Sequence, residues 1–292
     1  MKTDHDQIVS CIIPTRNRQD LLRKSLESVI SQTYRNLEII VVDDASDDDT
    51  GIIVREYMDR DIRINYIKTI TSMGGSGARN IGIKEAIGEY VAFLDDDDYW
   101  NENKIAEQIN FIDDFDAVIC AAFSKNGKKV IVYHKTLVNP IILKRGNVFF
   151  GGTSIILARS HAIKNTLFDE KLLSGQDWDL LIRMASKYHV GYSDTPLVYY
   201  NDGDHKRISN ELVNMPFHQL ENRLRAIEKH KDFLGRRWYN YHIASILLSY
   251  MKYRDNKISY IVYTIKRCGL CAMLSVFLNK SYRNYFKSKL VG

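Results

Sequence analysis

The chain has 292 residues, of which 45% are apolar and 26% are charged, and its formal net charge is +5. This balance is that of a globular protein with a buried core, and it excludes a disordered, collagen-like or disulfide-built chain. The four cysteines are few and mostly far apart, which predicts free thiols in a reducing compartment. We interpret Cys268 and Cys271 as helix-packing residues, because no second pair accompanies them.

The first half of the sequence alternates strand and helix patterns. Four short β-rich runs are predicted to be strands, the first ending before Pro14, at residues 9–13, 38–42, 64–67 and 90–94. Helical spacing of apolar residues follows the first three strands, at residues 20–32, at 52–58 and, after a glycine-rich turn, at about 78–86. This alternation predicts an α/β fold with a mostly parallel sheet and helices on both of its faces.

The second half is less regular. Strand-like runs occur at residues 117–121, 130–133, 154–157 and 197–200, and a helix is predicted over residues 177–187. From about Pro216 the pattern is helical throughout. We therefore expect an α/β domain over residues 1–210 and a helical C-terminal region over residues 211–292, with the boundary near residues 205–215.

Two acidic clusters follow predicted strands. Asp43 and Asp44 come directly after the second strand, and four aspartates, residues 95–98, come after the fourth. Ligands of open α/β sheets bind beyond the carboxyl ends of the strands, and carboxylates gathered there repel one another unless a cation lies between them. Oxygen ligands favour Mg²⁺ or Mn²⁺, which also bind substrate phosphates. The clusters predict a metal-diphosphate site; the alternative for either one is a solvated acidic turn.

A glycine-rich turn precedes the third helix at residues 74–77. Glycine-rich turns that open a helix commonly bind phosphate. Arg79, one turn into this helix, is placed to bring a guanidinium group to a nucleotide. The alternatives are that the glycines only turn the chain and that Arg79 caps a neighbouring strand or pairs with an acid.

Five segments resemble, in order and spacing, the motifs of family 2 glycosyltransferases of the GT-A fold: residues 10–18, 31–34, 40–48, 77–80 and 92–100. The resemblance covers residues 8–110 strongly and continues more weakly to about 210. It implies a catalytic domain with a nucleotide-sugar-binding half of about residues 1–110 and an acceptor-binding half of about 111–210.

The resemblance also implies roles for single residues in the nucleotide-binding half. Asp44 matches the acid that holds the uracil ring. Asp95 matches the residue near the ribose and the metal, and Asp97 matches the metal ligand that touches the diphosphate; four consecutive aspartates leave their register open. The other residues that it places beside the nucleotide sugar are Pro14, Thr15, Asn17, Arg79 and Asp96.

Two later segments resemble family motifs. Residues 175–183 resemble the segment that supplies the catalytic base, which makes Asp177 the base and puts Gln176 and Trp178 on the acceptor side. Gln176 stands where a Glu is common. A helix N-cap is the alternative role for Asp177. His205 begins a His-x-x-x-Ser segment that resembles a loop closing over the diphosphate; a solvated basic loop is the alternative.

These residues together predict a transferase that moves a sugar from a UDP-sugar to a hydroxyl group, with Mn²⁺ or Mg²⁺ and with inversion at the anomeric carbon. UDP-glucose, UDP-galactose and UDP-N-acetylglucosamine all stay open as donors. By analogy, the acceptor is a saccharide on a polyprenyl diphosphate in the synthesis of a surface polysaccharide such as O-antigen or lipopolysaccharide.

Three rival functions fit the sequence less well. A nucleotidyltransferase would carry a glycine-rich basic loop after the first strand, and a dinucleotide oxidoreductase would carry G-x-G-x-x-G there. The segment at residues 14–18 contains no glycine. A non-catalytic sugar-nucleotide-binding protein would be expected to lack acids at positions 97 and 177, and both are present.

The C-terminal region is basic. Residues 252–292 contain nine Lys or Arg and one acid, a net charge of +8, whereas the rest of the chain carries −3. Together with the seven aromatic residues of this segment, the charge is typical of helices on an anionic membrane surface. A packed helical cap is the alternative, and nucleic acid is disfavoured. With neither a signal-peptide pattern nor ~20 consecutive apolar residues, we expect a cytoplasmic protein peripheral to the inner membrane.

Overall fold

A computed structural model describes residues 7–124, 127–130, 135–201, 217–251 and 257–278. The strands are β1 (Val9–Thr15), β2 (Leu37–Asp43), β3 (Ile64–Lys68), β4 (Tyr90–Phe93), β5 (Tyr99–Trp100), β6 (Ala117–Phe123), β7 (Lys129–Val130), β8 (Ile156–Arg159) and β9 (Val190–Tyr199). The helices are α1 (Gln19–Ile30), α2 (Thr50–Met58), α3 (Gly74–Glu85), α4 (Lys104–Phe111), α5 (Ser160–Lys164), α6 (Gln176–Lys187), α7 (Phe217–Lys229), α8 (Lys231–Met251), α9 (Lys257–Cys268) and α10 (Leu270–Leu278), with a 3₁₀ helix at Pro140–Arg145.

All these strands form one sheet. Its order is β3-β2-β1-β4-β8-β6-β9-β5, and β7 pairs with β6. The strands of the first half, β1 to β4, are parallel, which confirms the expectation for that half. In the second half β8 runs antiparallel to both β4 and β6, so the complete sheet is mixed.

The strand order creates a crevice at one edge of the sheet. β1 lies between β2 and β4. After β1 the chain adds β2 and β3 on one side of it, and then crosses over to add β4 on the other side. Thr15 at the end of β1 is the register partner of Asp43 at the end of β2, and Ile12 is the partner of Phe93 at the end of β4. In open α/β sheets such a reversal of strand order is where ligands bind.

Buried apolar side chains fix this part of the fold. Every residue of β1, β2 and β4 is buried, as the nearly continuous apolar runs predicted. α3 packs closely on β1, because a Cβ atom at Gly82 would lie 2.5 Å from Cγ2 of Ile12. Gly82 thereby lets the helix that carries Arg79 approach the sheet.

Several element boundaries differ from those expected. β1 includes Pro14 and ends two residues later than the predicted strand. The pairing of β1 with β4 ends at Ile12. Pro14, which has no backbone N–H, therefore breaks no hydrogen bond between β1 and β4. α3 begins at Gly74, so the glycine-rich segment forms the first turn of the helix. The sequence analysis did not predict β5, α4 or α5.

The chain divides into two compact units. One comprises residues 1–143, 147–171 and 176–203, and contains the sheet; the other comprises residues 144–146, 172–175 and 204–292, and contains α7 to α10. The domain boundary expected at residues 205–215 lies outside the described residues.

The helical unit has its own apolar core. Leu234, Ile243 and Leu247 of α8 are buried, and α8 is broken at Gly235, whose φ is +68°. Among the described helices, none is by itself long and apolar enough to cross a bilayer. The pair α9 and α10, bent by 115° at Gly269, meets that criterion jointly on length and composition.

A lysine is buried in the core of the sheet-containing unit. Lys104 at the start of α4 is 0% exposed, and its Nζ has no hydrogen-bond partner among the described residues. Nζ lies 3.9 Å from the ring centre of Trp100. Burial lowers the pKa of Lys104 to about 8, opposed by the weaker influence of Cys120 and Cys11.

Replacing Lys104 with Met is expected to stabilise the protein by about 2 kcal/mol at pH 7, allowing for the lost contact with Trp100. The pKa of Lys104 is lower in the folded state than in the unfolded state. The free-energy cost of burying its charge is therefore largest below about pH 8, and it declines as the pH rises toward 10.5. Urea unfolding at pH 7 and 9.5 measures this, and the gain should shrink at the higher pH. A Lys104→Met protein less stable than wild type at pH 7 would contradict the argument.

Candidate active site

The loops after β1 and β2 are tied together at the crevice. The backbone N–H of Asn17 donates to Oγ of Ser46 at 3.0 Å, and Oδ1 of Asn17 accepts from the N–H of Asp47 at 2.9 Å. Thr15 accepts a backbone bond from Asp44 at 2.9 Å. Asn17 and Ala45 have φ values of +52° and +59°, a left-handed conformation that non-glycine residues rarely adopt. Such strained residues cluster at functional sites.

Asp43 is a structural residue of the β2 loop. Its side chain is fully buried, and its oxygens accept bonds from the N–H of Ser46 at 2.7 Å and from the hydroxyl of Tyr66 at 2.5 Å. This carboxylate therefore holds the turn that presents Asp44.

Asp44 fixes the start of α3. Its Oδ1 accepts from the N–H of Met73 at 2.5 Å, and its Oδ2 accepts from the N–H of Gly74 at 2.9 Å and from Oγ of Ser72 at 2.6 Å. The same Ser72 Oγ accepts from Arg16 at 2.6 Å. Asp44 is buried, and it neutralises the positive end of the helix dipole. Its contact with uracil stays a prediction.

Arg79 and Asp95 form an ion pair in the crevice. Nη2 of Arg79 donates to Oδ1 of Asp95, which also accepts from Oγ1 of Thr153 at 2.8 Å. The guanidinium group lies 5.4 Å from the ring centre of Phe168 and is largely buried. The alternative in which Arg79 pairs with an acid is therefore realised, and the acid belongs to the predicted metal and ribose cluster.

The next two aspartates share an arginine. Nη1 of Arg18 lies 2.9 Å from Oδ1 of Asp96 and 3.2 Å from Oδ2 of Asp97. Asp96 is nearly fully buried, whereas the side chain of Asp97 retains 15% exposure. Burial raises the pKa of Asp96 to about 6, opposed by the charge of Arg18 and reinforced by that of Asp97. Of these two aspartates, Asp97 presents more of its side chain to solvent.

Asp98 anchors the end of β9. Its side chain is 1% exposed and accepts bonds from Oγ of Ser154 at 2.6 Å and from the N–H of Asn201 at 2.9 Å. Burial, with the charges of Asp95 and Asp97, holds the pKa of Asp98 well above its usual range. These contacts make Asp98 a structural acid, which favours the register in which Asp95 and Asp97 face the ligand.

Asp177 lies in the first turn of α6. Its Oδ1 accepts from the N–H of Trp178 at 2.8 Å, and its Oδ2 accepts from Nδ2 of Asn147 at 2.5 Å. Burial raises the pKa of Asp177; the Trp178 N–H lowers it, Asp95 raises it and Arg79 lowers it. The carboxylate thus lies within electrostatic reach of the Arg79–Asp95 pair. It accepts no bond from the second or third N–H after it, so it does not act as the helix cap.

Gln176 and Trp178, the residues on either side of Asp177, have different surroundings. Oε1 of Gln176 lies 3.7 Å from the position of a Cβ atom on Gly75, so the first turns of α6 and α3 meet. Trp178 is 6% exposed, and its Nε1 donates to the carbonyl of Leu143 at 2.8 Å. The indole of Trp178 is therefore held in the core, and the acceptor-side position of Gln176 and Trp178 stays a prediction. His205 lies outside the described residues.

No role was predicted from the sequence for Arg18, Asn147, Thr153 or Ser154. Arg18 was part of a quoted motif, and Thr153 and Ser154 follow Gly151 and Gly152, whose φ values are +117° and +57°. A glycine pair followed by two hydroxyl residues just before a strand is a signal that would have indicated this turn. Nothing in the sequence pattern around Asn147 indicates its contact with Asp177.

The carboxylates suit a hard cation that shares its ligands with a substrate. Among the described residues, no three His, Cys, Asp or Glu side chains are grouped to hold a metal by themselves. Mg²⁺ and Mn²⁺ sites commonly use one or two carboxylates and complete their shell with phosphate oxygens and water. Asp95 and Asp97 are oxygen donors of that kind, and Gly152 lies beside Asp95, since a Cβ atom on Gly152 would be 3.7 Å from Oδ2 of Asp95.

The α/β sheet, the strand reversal, and the acids that follow β2 and β4 are features of the GT-A transferases that use nucleotide sugars. A family model described as glycosyl transferase family 2 matches residues 10–170. The chain belongs to this family.

Relatives and solved structures agree with this assignment. The chain is 47% identical over 107 residues to the Escherichia coli UDP-Glc:alpha-D-GlcNAc-diphosphoundecaprenol beta-1,3-glucosyltransferase WfaP, covering 37% of this chain and 42% of WfaP. It is 34% identical over 204 residues to a glycosyltransferase of Rickettsia felis, covering 66% of this chain and 33% of the relative. The chain thus spans less than half the length of these two relatives.

The fold is similar to that of Staphylococcus aureus TarS 1–349, solved in complex with UDP-GlcNAc. The TM-score is 0.63 at 20% identity, over 94% of this chain and 91% of the TarS chain. At this identity the likeness shows the GT-A fold alone.

Proposed function

We propose that the protein is an inverting glycosyltransferase that moves a hexose or N-acetylhexosamine from a UDP-sugar to a saccharide hydroxyl group. The observation that carries the proposal is the half-buried carboxylate of Asp177 within electrostatic reach of Asp95 and Arg79. A base beside a diphosphate site is what a single displacement at the anomeric carbon requires.

In the proposed reaction, Asp177 takes the proton of the acceptor hydroxyl as that oxygen bonds to the anomeric carbon. The bond from the anomeric carbon to the diphosphate oxygen breaks, UDP leaves with the electron pair, and the configuration inverts. Burial raises the pKa of Asp177 toward the range in which a carboxylate is a useful base. Arg79 offers a fixed cation on the donor side, and Asp44 keeps the first turn of α3 in place beneath it.

Mn²⁺ or Mg²⁺ is the proposed cofactor. Asp97, assisted by Asp95, would hold the ion, which would supply charge neutralisation to the leaving diphosphate. Arg18 keeps the unbound carboxylates of Asp96 and Asp97 neutralised. This arrangement supports metal dependence because two oxygen donors suffice when a diphosphate completes the shell.

WfaP, by its description, uses UDP-glucose and an undecaprenol-linked acceptor, and this supports a polyprenyl-diphosphate-linked saccharide as acceptor here. The test is a UDP-release assay with Mn²⁺, with UDP-glucose, UDP-galactose and UDP-N-acetylglucosamine as donors. N-acetylglucosamine diphosphate on a short lipid serves as the acceptor. Acceptor-dependent UDP release with at least one donor is expected. A protein that binds UDP but releases none from any donor would be a non-catalytic binder.

We also propose that the C-terminal helices hold the enzyme on the cytoplasmic face of the inner membrane. The net charge of +8 over residues 252–292 favours anionic lipid, at about 1 kcal/mol for each base near the surface. α10 adds an apolar face that points outward: Leu270, Leu274, Phe277 and Leu278 are 51%, 45%, 40% and 78% exposed. Met273 and Val276 of the same helix are buried, so α10 is apolar on both sides. Exposed Lys257 and Lys266 on α9 flank it in sequence.

The double substitution Leu274→Glu with Phe277→Glu is expected to reduce binding to anionic liposomes at least ~10-fold, because two apolar side chains lose their burial in lipid. Flotation at low and high salt measures this. Ser259→Glu with Ser275→Glu adds the same charge at exposed polar positions of α9 and α10 and should keep most of the binding.

Equal flotation with neutral lipid, or none at low salt, would overturn the membrane proposal. A wild-type dimer that becomes a monomer only in the Leu274→Glu/Phe277→Glu variant would assign the face to a second copy of the chain.

A further inference from the structure

The carboxylate of Asp177 is held from two sides. Trp178 donates its backbone N–H to Oδ1, and Asn147 donates Nδ2–H to Oδ2 at 2.5 Å. Asn147 precedes Asp177 by 30 residues and follows the 3₁₀ helix at Pro140–Arg145. Asn147 is exposed, so packing in the core is not what holds it against Asp177.

We propose that Asn147 is a positioning residue for the transfer reaction: its carboxamide orients the Asp177 carboxylate toward the acceptor hydroxyl. The inference rests on the proposed function of Asp177 as the base. A carboxylate has about four lone-pair directions. With one direction on each oxygen used by a fixed N–H donor, the group cannot rotate freely, and the remaining directions stay open to the acceptor proton.

The donor at this position is neutral. The charged groups that act on Asp177 are Asp95, which raises its pKa, and Arg79, which lowers it. A Lys or Arg in place of Asn147 would form an ion pair and depress the basicity of the carboxylate. An amide N–H favours the ionised form more weakly than a cation does, so it orients the carboxylate with less loss of basicity.

Replacing Asn147 with Ala should move the acidic limb of the kcat–pH profile upward by about one pH unit, because the ionised carboxylate loses a hydrogen bond. The plateau kcat should fall roughly tenfold, because the base loses its orientation. The KM for the UDP-sugar should stay within about twofold, since Asn147 donates its hydrogen bond to the proposed base and not to a residue of the proposed donor site. The substrates are the donor and lipid-diphosphate acceptor that the wild type turns over.

Two further variants sharpen the test. Asn147→Ser keeps a hydroxyl donor and should restore part of the shift. Asn147→Asp places a second carboxyl group against Asp177 and should move the acidic limb further upward than Ala does. Asn165→Ala, at an exposed asparagine that ends α5, is the matched control and should leave the profile unchanged.

The possible outcomes separate this inference from the proposed function. If the wild type releases no UDP with any donor, the proposed function fails. If the wild type is active but the acidic limb stays in place in Asn147→Ala and Asn147→Asp, the positioning role is overturned. A uniform loss of activity at every pH together with a lower melting temperature would assign Asn147 a structural role instead.

Discussion

Asp177→Asn is expected to lower the rate of sugar transfer by about 10²–10⁴-fold while leaving UDP-sugar affinity nearly unchanged. The substitution keeps the size and shape of the side chain but removes its ability to accept the proton of the acceptor hydroxyl. An amide at this position can keep the bond from the Trp178 N–H through its oxygen, and its NH2 group then faces Asn147, whose carboxamide must turn to accept from it. The measurements are the transfer rate with the lipid-diphosphate acceptor and calorimetric affinity for the UDP-sugar.

Asp194→Asn is the matched control, since it makes the same chemical change at an exposed position of β9 and should leave both quantities at wild-type values. If donor affinity in Asp177→Asn falls as far as the rate does, Asp177 acts on the donor or on the fold and is not the base. Gln176→Glu should be tolerated, because Gln176 is half-buried and a Glu is common at that position in the family that the segment resembles.

The sequence predicted the parts of the fold that depend on local pattern. β1 and β2 are mostly apolar runs, and such runs indicate strands buried on both faces. The direction of β8 was not predictable, because a strand pattern carries no information about its neighbours. α4 was missed because its 8 residues are fewer than the roughly 11 over which helical spacing can be recognised.

In the candidate site, too, some features follow from local sequence pattern and others depend on tertiary contacts. The acids after β2 and β4 were predicted to lie at one edge of the sheet, because parallel strands bring their carboxyl ends together, and the structure places them there. Which acid is available to a ligand depends on partners that are distant in sequence. Ser154 donates a hydrogen bond to Asp98, and Arg18 forms ion pairs with Asp96 and Asp97. These contacts join residues 56 to 79 positions apart, beyond the reach of any local pattern.

Asp97→Asn is expected to lower metal-dependent turnover by at least ~100-fold, because the ion would lose the carboxylate that shares it with the diphosphate. The fold should survive, since Asp97 retains 15% side-chain exposure and Arg18 keeps its ion pair with Asp96. EDTA should reduce the wild type to a similar level, and excess Mn²⁺ should restore the wild type but not the variant. Calorimetry should show that Mn²⁺ strengthens UDP binding in the wild type and much less in Asp97→Asn. Asp114→Asn, on an exposed turn, controls for the loss of one charge. Activity in Asp97→Asn above about a tenth of wild type would remove Asp97 as the metal ligand, and a wild type insensitive to EDTA would remove the ion from the mechanism.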